Sequence, residues 1–392
     1  MNKTNIVFFL LVINALVAIT SEFEITGSFH TGLWRAVIMA AAIPFLFHEL
    51  KLTRTTKVIF VVIVYLFITL ITNTYFWSTF STYISVVFSL IMYPIAYTYI
   101  YKPEHYRKLF RIIIALLLIF SIHFIWAQVF RVGQSPYIAD LIFLGGGGVQ
   151  QTYIIVYFLL FIPFILVIQK IKLRKLDYTA MILSLAPIFL IFRRAAVFGL
   201  IFGLIFYTLF TPQKGKLIRF VLAASLIAVL LSPLYLEQLR AITEFRSTDP
   251  DEFVEAGRTT EIIVWAPELM SSLGLRHALF GSELYHYQLI SGGRRSLHSD
   301  YATYLIGAGI IGFILYFSVL LFIWKDFIRN ANYVNDRFNR KEAKAVLLSL
   351  TIAYLIISYS GQYYVVSSLS LIMMFLGIIN RYMLEKAKES II

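Results

Sequence analysis

Arginine side chains and one histidine are the residues of this sequence whose types and positions could carry chemistry. Arg193 and Arg194 adjoin each other inside an apolar stretch, Arg258 follows a glycine in a long loop, and His298 precedes a late apolar run. Guanidinium groups bind phosphate through a planar fork and keep their charge at any working pH. A histidine in the first turn of a helix, beside arginines, stays neutral and can accept a proton.

Arginines from two separate regions and a histidine at a helix end together predict a lipid pyrophosphate as substrate. Fixed guanidiniums stabilise the charge that grows on a leaving pyrophosphate, and an acceptor hydroxyl then needs only a positioned base. Two arginines can supply this charge without a metal, so we expect no metal and no cofactor. The segment Asp249-Pro250-Asp251 is typical of a helix start rather than of a metal site.

Five further residues are candidates for substrate binding because they are expected near the same side of the membrane: Arg35, Trp265, Arg294, Arg295 and Asp300. Each candidate also has a simpler interpretation that the sequence leaves open. A basic loop residue is usually solvated, a long side chain in a membrane helix can reach the interface, and a histidine at a helix end often acts only as a cap.

The candidate residues lie between, or at the ends of, apolar runs that predict membrane helices. The chain has 392 residues, of which 59% are hydrophobic and 14% charged, whereas soluble domains have about 25% charged residues. We therefore predict an all-α polytopic protein, a single integral membrane domain over residues 1–392, with the lipid bilayer and not nucleic acid as its surroundings. Apolar runs predict about twelve spans, near 6–20, 34–47, 58–72, 80–100, 112–130, 152–168, 178–192, 195–210, 219–236, 299–323, 345–360 and 365–380.

The connections between these spans alternate in charge, which predicts their orientation. Every lysine falls on one side, and the basic residues of the other side are all arginines. Because cytoplasmic loops carry an excess of Lys and Arg, both termini are expected in the cytoplasm. The loop 237–297, between spans nine and ten, is then the longest outer connection, and we predict two helices in it, the second running from Thr260 to Leu273 and ended by Gly274.

Several short motifs resemble the family of O-antigen polymerases and O-antigen ligases, over about Arg193 to Tyr316. The motifs are Gly257-Arg258 followed by Trp265, Leu279-Phe280-Gly281, and His298-Ser299-Asp300-Tyr301 followed by Leu305, Gly309 and Gly312. The chain departs from the family pattern in having Arg193-Arg194 for Ser-Arg and His298-Ser299 for His-Asn.

The resemblance implies a GT-C-like glycosyltransferase of the bacterial inner membrane that acts on its outer face. Its donor would be a glycan on undecaprenyl pyrophosphate, its reaction inverting and metal-independent, and a chain-length regulator would be a further candidate partner. By position, Arg193 or Arg194 and Arg258 would hold pyrophosphate, and His298 would activate the acceptor. We favour a polymerase that joins two lipid-linked repeat units, over a ligase that transfers glycan to lipid A core.

A flippase or other secondary transporter of a lipid-linked oligosaccharide remains the alternative from a different class. Such proteins also have about twelve spans and arginine-lined cavities. Two similar halves with helices broken near the membrane midplane are typical of transporters, whereas here a single long outer loop interrupts one half.

Overall fold

The structure is a computed structural model that describes residues 2–20, 37, 42, 46–130, 149–190, 194–212, 274–285, 299–359, 361 and 366–391. Within these residues the secondary structure is helical and no strand occurs, which confirms the expected all-helical fold. The helices are α1 Lys3–Thr20, α2 Arg54–Ile71, α3 Phe76–Tyr99, α4 Pro103–Val129, α5 Val149–Ile168, α6 Lys175–Leu183, α7 Leu185–Leu190, α8 Arg194–Phe210, α9 Gly274–Phe280, α10 Asp300–Gly307, α11 Gly309–Ala331, α12 Arg337–Ser358 and α13 Val366–Ile391.

Six of the described helices are long and apolar enough to cross a bilayer, namely α2, α3, α4, α5, α11 and α13. Helices α1 and α8 are apolar but shorter. The run predicted at 178–192 is not one helix in the structure, since α6 ends just before Ser184 and α7 begins just after it. The runs at 219–236 and, for the most part, at 34–47 lie outside the described residues, as does the loop 237–297 except for 274–285.

The long helices run alternately up and down, so that the bundle has two distinct ends. At one end the Lys108 ammonium donates to Asn5 Oδ1 over 2.7 Å, and Thr55 Oγ1 donates to Asp326 Oδ2 over 2.7 Å. The first bond joins the starts of α1 and α4, and the second joins the start of α2 to the end of α11. We call this end, which holds every lysine of the described residues, the basic end; the other, where α8 and α11 begin, is the opposite end. Arg194 and Arg276 are the described arginines at the opposite end.

Helix α13 is the centre of the bundle and is buried almost all round. The Phe375 ring stacks on Phe161 of α5 with centroids 4.0 Å apart. Asn380, fully buried, donates to the Tyr93 hydroxyl of α3 over 2.7 Å and to the Ile323 carbonyl of α11 over 3.0 Å. Without a hydrophobic drive between helices in lipid, ring packing and shared hydrogen bonds of this kind hold such a bundle together.

The single span expected at 299–323 is wrong, because the structure divides it at Ala308 into α10 and α11. Tyr301 stacks on Phe317 with ring centroids 5.0 Å apart. In one continuous helix these residues would lie about 24 Å apart, at about 1.5 Å per residue. Helix α10 therefore folds back along α11, and its first turn lies inside the bundle rather than at a helix end on the surface.

Candidate functional site

The first turn of α10 carries a carboxyl group that the bundle buries completely. Asp300 is the first residue of this helix, follows Ser299 as N-cap, and both residues are 0% exposed. Acidic side chains are almost never fully buried, and a buried carboxylate is costly unless nearby groups stabilise it. The positive end of the α10 dipole is one such influence. A buried acid inside a membrane bundle is a candidate functional residue.

Tyrosines from four elements lie within electrostatic range of Asp300. The Tyr304 ring stacks on Tyr316 of α11 with centroids 3.7 Å apart. The Tyr354 hydroxyl of α12 donates to the Tyr316 hydroxyl over 3.1 Å, and the hydroxyls of Tyr285 and Tyr304 lie 3.5 Å apart. We call Asp300 with these four tyrosines the Asp300 cluster. It is a polar, aromatic cluster packed inside the bundle.

Most of the Asp300 cluster could not be predicted from the sequence. Tyr316 and Tyr354 stand in runs that look like ordinary apolar spans, and 38 residues separate them in the sequence. Tyr301 and Tyr304 offered a weak signal, since a spacing of three places both on one helix face. Tyr301 also donates to the Leu355 carbonyl over 2.9 Å, which fixes α10 against the last turn of α12.

The motif Leu279-Phe280-Gly281 meets the break between α10 and α11. Gly281 and Gly309 have φ angles of +77° and +68°, a region that favours glycine. A Cβ atom on Gly281 would lie 2.3 Å from the Gly307 carbonyl oxygen, and one on Gly309 would lie 2.4 Å from the Leu279 carbonyl oxygen. Two of the three motifs of the resemblance thus come together, with backbone packed directly on backbone.

The end of α2 holds the segment that follows Gly281. The Asn73 side chain donates to the Leu284 carbonyl over 2.6 Å and accepts from the Leu284 amide over 3.0 Å. Thr74 donates through its amide and its hydroxyl to the Glu283 carboxylate. Glu283 and Tyr285 have positive φ angles, which cost non-glycine residues energy and occur where surrounding contacts enforce them. These bonds fix Tyr285 beside Tyr304.

We expect the Asn73→Ala substitution to lower the free energy of unfolding by about 2 kcal/mol, because it leaves the Leu284 amide and carbonyl buried without partners. Thermal unfolding of the purified protein in detergent measures this change. Asn335→Ala removes one exposed side-chain bond at the basic end, from Asn335 Nδ2 to the Ser390 carbonyl, and should change stability by less than about 0.5 kcal/mol. Equal effects of the two substitutions would contradict the role assigned to Asn73.

Arg194 is the first residue of α8 and is exposed at the opposite end. Helix α8 runs antiparallel to α12, since Gly199 packs against Ile357 and Thr211 donates to Glu342 over 2.6 Å. The last turns of α12 therefore adjoin both the start of α8 and, through the Tyr301 bond to Leu355, the start of α10. The structure thus places Arg194 and Asp300 in the same half of the bundle.

The other predicted site residues lie outside the described residues: Arg35, Arg193, Arg258, Trp265, Arg294, Arg295 and His298. Helix α9 begins at Gly274, where the second predicted loop helix was expected to end, and the φ of Gly274 is +80°. The predicted helix itself, from Thr260 to Leu273, lies outside the described residues.

The hydroxyl and carboxyl groups of the Asp300 cluster can bind and orient a polar group, and its packed rings exclude water. The carboxyl can hold a cation or a proton donor in place. A comparison of the sequence with models of protein families and with curated proteins found no match.

Proposed function

We propose that this protein is a membrane glycosyltransferase that polymerises lipid-linked repeat units of a surface polysaccharide such as O-antigen. Its donor would be a glycan on undecaprenyl pyrophosphate and its acceptor a second lipid-linked repeat unit. One observation carries the proposal. Asp300 is completely buried in the first turn of a helix that folds back into the bundle, in the half that also holds Arg194.

The proposed topology follows the distribution of charge. We propose that the basic end faces the cytoplasm of the bacterial inner membrane, with both termini on that side and the Asp300 cluster in the half of the bundle nearer the outer side. About twelve spans in a GT-C-like arrangement would complete the bundle. The six apolar helices described above and the concentration of every described lysine at one end support this orientation.

The proposed reaction is a direct displacement at the anomeric carbon of the donor sugar. The acceptor hydroxyl oxygen forms a bond to this carbon while the bond to the pyrophosphate oxygen breaks, and the pyrophosphate takes the electron pair. His298 takes the proton of the acceptor hydroxyl. Arg194, or Arg193 beside it, and Arg258 stabilise the charge that grows on the leaving group. We assign Arg35, Arg294, Arg295 and Trp265 to substrate binding.

Asp300 is a positioning residue in this proposal. It stands two residues after His298, and its carboxylate is fixed by the packing of α10 on α11 and α12. A carboxylate near a histidine orients the imidazole and stabilises the imidazolium that forms when it accepts a proton. The tyrosines of the Asp300 cluster would line the approach of the sugar.

Purified protein incubated in detergent with an undecaprenyl-pyrophosphate-linked repeat unit tests the function. We expect a ladder of longer glycans on a gel, with the same intensity when a chelator is present. Transfer only after addition of lipid A core would instead indicate a ligase. No transfer to either acceptor by folded protein would refute the enzymatic proposal.

We expect Arg194→Ala to lower the rate of glycan transfer by about 100-fold or more, because a fixed group that stabilises the leaving charge is worth roughly 2.7–4 kcal/mol. Arg194→Lys should recover only part of this rate, since an ammonium lacks the planar fork. The matched control is Arg276→Ala, which removes an exposed arginine from the same end. If Arg194→Ala were as active as this control, Arg193 and not Arg194 would be the residue that stabilises the leaving group.

A lipid-linked oligosaccharide flippase is the second candidate function, and the broken α10–α11 element favours it. Transporters often use half-helices whose positive ends point at anionic substrate groups inside the bundle. Reconstitution into liposomes with fluorescent lipid-linked glycan separates the two functions. A flippase moves the lipid between leaflets unchanged, whereas a transferase lengthens its glycan.

A further inference from the structure

A guanidinium at the basic end is buried almost completely although it carries a permanent charge. Arg381 of α13 is 3% exposed. Its Nη2 donates to Glu385 Oε1 over 2.8 Å, and the group lies over the rings of Tyr97 and Tyr101, 5.6 and 4.8 Å from their centroids. Among the described residues, its Nε and Nη1 have no acceptor. Leaving buried donors of a charged group without partners is costly.

More cations than anions surround Arg381. Lys388 donates to Glu385 over 3.0 Å, and Lys51 lies near both Arg381 and Lys388. Partial burial, and then the repulsion by Arg381 and Lys388, lower the pKa of Lys51. Three cations thus share the one carboxylate of Glu385. An anion at this position would relieve their mutual repulsion.

A tyrosine hydroxyl adds a further donor beside these cations. Tyr106 of α4 is 2% exposed, its ring contacts Tyr382 with centroids 6.2 Å apart, and its hydroxyl lies within electrostatic range of Arg381. In the described part of the chain this hydroxyl has no hydrogen-bond partner. The ammonium groups of Lys51 and Lys388 and the Tyr106 hydroxyl thus lie near the Arg381 guanidinium.

We propose that Arg381, Lys51, Lys388 and Tyr106 form a binding site for one phosphate group, supplied by an anionic lipid headgroup or by free phosphate. Phosphate offers several acceptor oxygens, which matches a set of donors that lacks acceptors. Basic pockets between membrane helices bind lipid headgroups, and the basic end is where such headgroups would lie. The site is at the far end of the bundle from the Asp300 cluster and is independent of the proposed function.

Thermal unfolding of the full-length protein in detergent tests the site. The midpoint is measured during titration with dioleoylphosphatidylglycerol, with dioleoylphosphatidylcholine, or with sodium phosphate. We expect phosphatidylglycerol to raise the midpoint, at a half-saturating concentration about tenfold below that of phosphatidylcholine. A rise with sodium phosphate instead would support the site with the free ion as its ligand. No rise with either anion would overturn the proposal.

Substitutions at the exposed lysines make the test specific for this site. Lys51→Gln and Lys388→Gln should each raise the half-saturating concentration about fivefold, as expected for loss of one cation near a headgroup. Both side chains are exposed, so these variants should fold. Lys341→Gln removes an exposed charge from the same end and should stay within twofold of the unsubstituted protein. Equal half-saturating concentrations for all three variants would overturn the proposal.

Discussion

We expect the Asp300→Asn substitution to lower the rate of glycan transfer by at least 100-fold while the protein remains folded. The amide has almost the same shape as the carboxyl, so the packing of α10 against α11 and α12 should persist. It lacks the negative charge that would orient His298 and stabilise its protonated form, and general acid–base catalysis contributes about 10²–10⁴-fold. Gel analysis of glycan products, with unfolding midpoints measured in parallel, provides the rates and the check on folding.

Stability separates this positioning role from a purely structural one. Because a buried carboxylate is costly to desolvate, Asp300→Asn should leave the unfolding midpoint unchanged or raise it. Asp300→Glu should restore part of the transfer rate, since it returns the charge at a displaced position. Transfer at the unsubstituted rate by Asp300→Asn would exclude the assigned role of Asp300.

A second fully buried carboxyl, Glu342 at the basic end, gives a matched control. It accepts hydrogen bonds from Tyr207 and Thr211 and ties α8 to α12. Glu342→Gln weakens a structural bond far from the Asp300 cluster. We therefore expect it to lower the unfolding midpoint and to leave the transfer rate of the folded protein unchanged.

The second large effect is expected from Gly281→Ala, which should destabilise the protein by roughly 3 kcal/mol or more. The left-handed backbone at Gly281 costs a non-glycine residue about 1–2 kcal/mol. The added Cβ would also lie 2.3 Å from the Gly307 carbonyl oxygen, so the backbone of the α10–α11 break must move, and overpacking costs about 1–3 kcal/mol. Thermal unfolding measures the loss, and transfer should fall with it because α10 is displaced.

Gly274→Ala isolates the contribution of the close contact. Gly274 has a φ of +80°, like Gly281, but no atom of the described residues lies within 4 Å of the position of its added Cβ. This substitution should therefore cost only the backbone strain, about 1–2 kcal/mol. If both substitutions had the same effect, the packing of Gly281 on Gly307 would not be what holds the break together.

The sequence was sufficient to predict the helical class and the distribution of charge. A segment of some twenty apolar residues in lipid must satisfy its backbone hydrogen bonds internally, so composition alone predicts helices such as α2, α4 and α13. The lysines were expected on one side, and in the structure every described lysine lies at the basic end. The start of a new helix at Arg194 also followed from a run too long for one span.

The tertiary structure alone decided which of these helices turn back and which polar groups meet. A hydropathy profile depends only on the order of the residues in the sequence. Residues 299–323 therefore have the same profile whether they cross the membrane once or fold back at Ala308. Asp300 lies within electrostatic range of Tyr354, and the Arg381 guanidinium lies over the Tyr97 ring, although each pair comes from segments far apart in the chain. In the sequence, Arg381 resembles any basic residue near the end of a span that indicates the orientation of the protein in the membrane. Its burial could not be predicted, because the side chains that cover it come from other helices.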